Sequence, residues 1–163
     1  MSDQDGTKAT ALQHPTTNDR EAWKAYWEKQ GQPWRIEPEI NEDRQTYLTC
    51  RRSIAPDTEK GIYPFKGIDL NRADLEWLLA THEKGRGPVD WRDEGQHGRD
   101  GLDLRGADLC RIDLRRLPLA NLRSGLTVVE WSGATKEQRD IAALRANEAY
   151  LTEAQGAYFA GAH

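Results

Sequence analysis

The chain has 163 residues, of which 37% are hydrophobic and 31% are charged, and its formal net charge is -4 at pH 7. This length allows one core, whereas the polar composition excludes an integral membrane protein. No window approaches the run of about 20 apolar residues that a transmembrane helix needs, and the N-terminal sequence lacks the pattern of a secretory signal. We therefore expect a cytoplasmic protein. The acidic balance disfavours a general affinity for nucleic acid, which usually shows as a basic domain.

The two cysteines, Cys50 and Cys110, lie far apart and form no CxxC pair. This spacing suggests neither a disulfide framework nor a zinc site, so we expect two reduced thiols. The four histidines show no metal-binding spacing such as HExxH. The sequence therefore predicts no metal and no cofactor.

The first ordered element is expected near residue 19, because residues 1–18 carry almost no apolar pattern and are typical of a mobile tail. Asn18 or Asp19 can cap a helix that Gly31 ends. Three aromatic residues share one face of this helix: Trp23, Tyr26 and Trp27. That face either packs on the chain's own core or docks another protein, and the sequence leaves both readings open.

Two further helices are predicted in the middle of the chain. Pro38 suits the first position of a second helix that runs to about Arg52. A third helix is expected at about residues 72–83, where the apolar residues after Asp74 follow helical spacing. Residues 84–101 are rich in Gly, Asp and Arg and predict a surface loop, with Trp91 as its large apolar anchor.

Two capping boxes near the C-terminus, Thr127–Glu130 and Thr135–Gln138, predict helix within residues 127–148. In each box the threonine hydroxyl and the later side chain bind backbone N–H groups at the start of a helix. We expect a short helical turn first and then a longer helix from Lys136 to about Asn147.

A five-residue repeat runs through residues 101–123. It recurs as Leu102-Asp103-Leu104, Ala107-Asp108-Leu109, Ile112-Asp113-Leu114 and Leu117-Pro118-Leu119. Neither the period of a helix nor that of a flat strand keeps these apolar residues on one side. A period of five does so if the chain bends once in every unit, and four units then close a square coil. Shorter stretches at residues 68–75 and, more weakly, after residue 149 fit the same pattern.

This repeat resembles that of the pentapeptide-repeat family, written Ala–Asp/Asn–Leu–x–x, which folds as a right-handed quadrilateral β-helix. Ala107-Asp108-Leu109 matches directly, whereas Pro118 departs from the outward Asp or Asn and removes a backbone donor. The resemblance implies an α+β fold, in which a short, interrupted right-handed β-helix packs with about four to five α-helices. The expected repeat core consists of Ile68, Leu70, Ala73, Leu102, Leu104, Ala107, Leu109, Ile112, Leu114, Leu117, Leu119 and Leu122.

The expected organisation is a disordered tail at residues 1–18, a helical N-terminal region at 19–66 and an interrupted repeat domain at 67–163. Helical insertions at about 72–83 and 127–148 would interrupt the coil. A single coil cannot bury its own ends, and an open edge invites pairing. We therefore expect a cap, a longer parent protein or self-association at the C-terminal coil edge.

The favoured function is a non-catalytic scaffold or protein-interaction module. Candidate binding residues are the arginines at or beside the outward positions of the repeat: Arg105, Arg111, Arg115, Arg116 and Arg123. They can bind carboxylates or phosphates of a partner, or they can pair with neighbouring aspartates on a solvated face. The expected partner is another protein, or a second copy joined through the C-terminal coil edge, and not a membrane.

Three other functions stay open. The family resemblance allows a DNA mimic that binds a type II topoisomerase, although the coil is short and locally basic. The arginines can also bind nucleic acid, although the rest of the chain is acidic. A catalytic or metal site would have to use His97 together with Asp90, Asp93 and Glu94 in the glycine-rich loop. No nucleophile or phosphate-binding motif accompanies that cluster.

Overall fold

A computed structural model describes residues 13–146. The chain divides into two compact units, Met1–Pro38 and Glu39–His163, so the boundary expected near residue 66 lies inside the second unit. Most of the tail expected at residues 1–18 and all of the repeat-like units after residue 149 fall outside the described residues.

The first unit contains helix α1, Arg20–Lys29. The carboxylate of Asp19 caps it by accepting a hydrogen bond from the Glu21 backbone N–H at 3.1 Å, which confirms the start expected from the sequence. The chain turns just after the helix, where Gly31 adopts a positive φ of 76° that glycine tolerates without steric cost.

Two of the three rings on the aromatic face of α1 are buried, and Tyr26 is partly exposed. Trp23 and Trp27 are 6% and 4% exposed, and the Tyr26 ring lies 4.8 Å from that of Trp27 in an edge-to-face contact. The Arg35 guanidinium carbon lies 3.4 Å from the Trp27 ring centroid, a cation–π arrangement. The Trp27 indole N–H donates to the Glu37 carbonyl at 2.9 Å. Partners within the same unit therefore cover the rings whose role the sequence left open.

The second unit carries five helical segments between residues 39 and 146: α2 (Glu42–Arg52), α3 (Arg72–Ala80), α4 (His82–Gly85), α5 (Val128–Gly133) and α6 (Lys136–Ala142). Segment α4 is not a regular helix, because Glu83 and Lys84 have left-handed backbone with φ of 49° and 59°. A 3-10 turn spans Glu94–Gln96. Helix α3 has the most buried residues of these segments, and they include Leu75, Leu78 and Leu79. The longest described helix has 11 residues, and no helix in the described range is long and apolar enough to cross a membrane.

Two helix boundaries differ from expectation. Helix α2 does not begin at Pro38, because the Asn41 side chain caps it by accepting from the Arg44 N–H at 2.8 Å. Helix α6 ends at Ala142 instead of continuing to Asn147. The next residues bond elsewhere: the Leu144 N–H donates to the Ser124 carbonyl at 2.9 Å. Hydrogen bonds to the distant segment at Ser124 thus replace those that would continue helix α6.

The predicted β-helix is wrong. Residues 13–146 contain no β-strand, and their β-type pairing consists of isolated bridges, among them three parallel ones and one antiparallel one. The parallel bridges join Asp69 with Asp108, Asp103 with Arg123, and Asp108 with Arg145. The chain is therefore mostly helix and loop rather than an α+β fold with a β-helix, and the resemblance to the pentapeptide-repeat family is not upheld.

Turns, not strands, account for the five-residue period in residues 101–124, called here the turn segment. Left-handed backbone recurs at Gly106, Arg111, Arg116 and Asn121, at intervals of five. Turn hydrogen bonds connect residues three apart, as between the Ala107 N–H and the Leu104 carbonyl at 3.1 Å. Most residues of each five-residue repeat form a bend, and the extended residues that remain are too few to form a strand.

The apolar positions of the turn segment nevertheless point inward. Those that are buried, together with Leu70 upstream, are Leu102, Leu104, Ala107, Leu109, Leu114, Leu117, Leu119 and Leu122. The other expected core positions are partly exposed: Ile68, Ala73 and Ile112. The core of the second unit therefore lies inside the bends of the turn segment.

The loop after α3 is anchored by a different residue from the expected one. Trp91 is 47% exposed, whereas Val89 is 2% exposed. The Arg99 guanidinium donates to the Gly87 carbonyl at 2.7 Å and to the Pro88 carbonyl at 3.2 Å, which draws the Val89 side of the loop inward. The indole of Trp91 is left at the surface.

Candidate interaction surface

A buried arginine closes one side of the turn segment. Arg72 in α3 is 7% exposed, and its Nη1 donates to the carbonyls of Asp113 at 2.9 Å and Arg115 at 2.8 Å. Its Nε donates to Glu76, which is itself fully buried, at 2.9 Å. These charge-assisted bonds satisfy backbone acceptors that have no strand beside them. We assign Arg72 a structural role.

Arg44 in α2 has a similar role upstream. Its guanidinium pairs with the buried carboxylate of Asp74 at 2.8 Å and donates to the Asp69 carbonyl at 3.0 Å. Hydrogen bonding to Asp74 raises the pKa of Arg44 above its ordinary value despite partial burial. The same carboxylate accepts from the Asn71 N–H in the capping box of α3, so one carboxylate holds two helices in place.

Arg105, the first of the predicted binding arginines, is 2% exposed. Its guanidinium donates to both carboxylate oxygens of Asp103 at 2.9 and 2.6 Å, and its carbon lies 4.5 Å from the Tyr63 ring centroid. Burial by itself lowers the pKa of Arg105, but the hydrogen bonds and charge of Asp103 outweigh it and leave the pKa raised. A partner cannot reach this guanidinium without opening the fold.

Arg115 is exposed but is engaged by its own turn. Its Nε and Nη2 each donate to Asp113 at 2.9 Å. Hydrogen bonds from the Arg115 side chain and backbone, with the nearby charge of Arg72, lower the pKa of Asp113 to about 2. The pairing of arginine with neighbouring aspartate that the sequence allowed is therefore what the structure shows at this position.

The three other predicted binding arginines differ in exposure. Arg111 and Arg116 are exposed at the bends of the turn segment, where both have a φ of 63°. Arg123 is partly exposed, and its guanidinium lies 4.0 Å from the Glu130 carboxylate. Of the five arginines, Arg105 therefore does not belong to an exposed basic face, and binding of a partner or of nucleic acid by the others stays a prediction.

The histidine cluster suggested by the sequence is organised by local bonds. A ring nitrogen of His97 lies 2.8 Å from the Trp91 carbonyl, and the Asp93 carboxylate accepts from the Gln96 amide at 3.0 Å and the Gly95 N–H at 2.9 Å. Hydrogen bonding to Gln96 and Gly95 lowers the pKa of Asp93. Within residues 13–146, no group of three or more His, Cys, Asp or Glu side chains has the arrangement to hold a metal ion.

Among residues 13–146, the two most exposed large apolar side chains belong to α5. Val128 and Val129 are 88% and 83% exposed, and Trp131 is 40% exposed. The predicted capping box is present at its start: the Thr127 hydroxyl accepts from the Glu130 N–H at 3.2 Å, and the Glu130 carboxylate accepts from the Thr127 N–H at 2.8 Å. A short, capped helix thus presents two adjacent valines to solvent.

Helix α6 fixes the position of α5. The second predicted capping box, Thr135 with Gln138, is also present and starts α6. The Arg139 guanidinium donates to the Trp131 carbonyl at 2.7 and 3.1 Å, and its carbon lies 4.6 Å from the Trp131 ring centroid. Ala134, between the helices, packs on the buried Tyr63 cluster. Contacts with α6 and with the Tyr63 cluster therefore hold in place the helix that carries the exposed valines.

A cavity of about 460 Å³ lies beside α5 and opens to solvent. Its lining residues are Thr58, Glu59, Val129, Glu130, Gly133, Ala134 and Gln138. They come from the loop after α2, from α5 and from the start of α6. The Gln138 side-chain amide donates to the Glu59 carbonyl at 3.4 Å and joins two walls of the cavity. The cavity and the exposed valines form one continuous feature, called here the α5 surface.

The α5 surface was not predicted from the sequence, although a signal was present. Successive residues of a helix point about 100° apart, so Val128, Val129 and Trp131 cannot all face one core from a helix of six residues. The capping box predicted the helix correctly. It did not indicate which side of the helix is covered, because this depends on residues 58–63, far away in the chain.

Comparison with known proteins found no matching family model, no matching curated protein and no matching solved structure. The pentapeptide-repeat assignment therefore has no support from the comparisons either. The topoisomerase-binding function, which rested on that resemblance alone, loses its basis.

Proposed function

We propose that this protein is a protein-interaction module and that the α5 surface is its binding site. The observation that carries the proposal is the exposure of Val128 and Val129, at 88% and 83%, on a capped helix beside a cavity. Scattered exposed apolar residues are ordinary on soluble proteins. Val128 and Val129 are adjacent, and Val129 also lines the cavity, so exposed apolar surface adjoins a cavity, a combination that is typical of interaction sites.

Binding energy would come from covering these side chains. Fully burying one valine or similar side chain is worth about 1.5–3 kcal/mol, and aromatic residues such as Trp131 are favoured at the centres of interfaces. The support is rigid, since capping boxes begin both α5 and α6 and Arg139 links them. A preorganised surface loses little conformational entropy when a partner binds.

The double variant Val128→Ser/Val129→Ser separates binding from folding. Both side chains are exposed, so we expect the free energy of unfolding to change by no more than about 0.5 kcal/mol. Loss of partner binding at unchanged stability would support a binding role. A large loss of stability would show instead that the valines are covered within the chain, and it would contradict the proposal.

Site-specific photo-crosslinking in the cells that make this protein tests the binding role directly. A photoreactive amino acid at Val128 should give a discrete cross-linked protein, whereas the same group at Thr46, an exposed position on α2, should not. The product at Val128 should disappear in the Val129→Ser background. A product of twice the chain mass would identify a second copy as the partner. Equal products at both positions, or none at Val128, would refute the proposal.

A further inference from the structure

Resting on the proposed interaction role, we infer that the cavity of the α5 surface takes a basic side chain, arginine or lysine, from a partner segment whose apolar residues cover Val128 and Val129. The residues that line the cavity favour a basic side chain. They include two acidic residues, Glu59 and Glu130, and no basic residue. A cation therefore complements the charge of this lining, whereas an acidic side chain does not.

Glu59 supplies the uncompensated charge. No ion pair or hydrogen bond involves its carboxylate among the described residues, and only its backbone carbonyl is used, by Gln138. Glu130 is partly engaged. One of its oxygens accepts from the Thr127 N–H at 2.8 Å, and the other lies 4.0 Å from the Arg123 guanidinium. The cavity thus carries one free carboxylate and a second one with remaining acceptor capacity.

Glu130 stays ionised at neutral pH. The hydrogen bond from the Thr127 backbone holds the pKa of Glu130 below its usual range, against the opposing effect of partial burial. A carboxylate held ionised beside apolar walls attracts a cation more strongly than one in open water. Arginine adds planar, bidentate geometry to this attraction, which suits the recognition of carboxylates.

The apolar walls fit the stem of such a side chain. Val129 and Ala134 line the cavity beside the carboxylates, and the methylene groups of arginine or lysine pack on apolar surface while the charged head stays polar. The volume of about 460 Å³ lies within the usual range of ligand pockets, about 300–1,000 Å³. The Trp131 ring is not the cation acceptor, since Arg139 of the same chain already lies over it.

Matched synthetic peptides test this inference on the full chain. The probe is a short acetylated and amidated peptide with one arginine between two leucines. Its first control replaces arginine by citrulline, which keeps the shape and removes the charge. Its second control replaces both leucines by serine. Titration followed by amide NMR shifts should show saturable changes at Val129 and Gly133, and the citrulline peptide should bind about tenfold more weakly.

Two variants of the chain complete the experiment. Glu59→Gln should reduce the preference for arginine over citrulline to threefold or less, because it removes the free carboxylate. Glu137→Gln, a matched change at an exposed carboxylate outside the cavity, should leave the preference unchanged. Raising the salt concentration should weaken the arginine peptide more than the citrulline peptide.

The outcomes distinguish this inference from the proposed function. Equal binding of the arginine and citrulline peptides, with loss only for the serine peptide, would overturn the basic side chain and leave the apolar docking surface intact. Shifts confined to residues away from the cavity, or no saturable shift at millimolar peptide, would also overturn the inference. The cross-linking at Val128 decides separately whether the α5 surface binds a protein.

Discussion

The left-handed backbone at Arg116 provides a direct test of how the five-residue period is built. Its φ is 63°, in the series that includes Gly106 and Arg111. An L residue in this region costs about 1–2 kcal/mol, whereas glycine adopts it freely but loses about 0.5–1 kcal/mol more entropy on folding than alanine. We therefore expect Arg116→Gly to be more stable than Arg116→Ala by about 0.5–1 kcal/mol. Both variants remove the same side chain, so their difference reports the backbone alone.

Arg115, in the same turn, supplies the control. It does not have a positive φ, so glycine gains nothing there and Arg115→Gly should be less stable than Arg115→Ala by about 0.5–1 kcal/mol. Urea denaturation followed by tryptophan fluorescence gives the four free energies of unfolding, compared at equal m values. The expected result is a reversal of sign between the two neighbouring positions. Alanine equal to or better than glycine at Arg116 would refute the turn geometry described here.

Three further predictions concern the same core. Gly106→Ala should lower the free energy of unfolding by about 1–3 kcal/mol, because the new Cβ would lie 2.6 Å from the Ile141 carbonyl oxygen and φ at Gly106 is 71°. Urea denaturation should detect this loss of stability, and an unchanged denaturation midpoint would contradict the close approach. Leu109→Ala, at a fully buried position, should cost about 2–5 kcal/mol in the same assay, and a cost below about 1 kcal/mol would place Leu109 outside the core. Because the folded-state pKa of Asp113 is depressed to about 2, its ionised form stabilises the fold above about pH 4, and this contribution is lost as the pH falls toward 2. Since the Asp113 carboxylate is about one third exposed, we expect the stability difference between the wild-type chain and Asp113→Asn to shrink by about 1 kcal/mol over that pH range, and a pH-independent difference would argue against the pairing with Arg115.

The local features of this protein could be predicted from the sequence because their causes lie within a few residues. Asp19 caps α1, and the capping boxes at Thr127 and Thr135 begin α5 and α6, as their spacing indicated. Each depends on a side chain and an N–H group two or three residues away, so no distant contact can change it easily. The five-residue period likewise indicated which side of residues 101–124 faces inward, since a regular bend keeps every fifth residue on one side.

The architecture and the candidate site depend on contacts between residues far apart in the chain. The same repeat is compatible with stacked strands or with a series of turns, and left-handed residues such as Arg111 and Arg116 place it in turns with isolated bridges. Arg105 looks like a surface arginine in the sequence, but Asp103 and the distant Tyr63 hold it in the interior.

The α5 surface shows the same division between sequence and structure. The sequence by itself determined that a short, capped helix begins after Thr127. Only the tertiary structure decided that Val128 and Val129 stay uncovered and that Glu59, from a remote loop, is among the residues that line the adjoining cavity. Burial is a property of the whole packed chain, because whether a side chain meets water depends on every segment that comes near it.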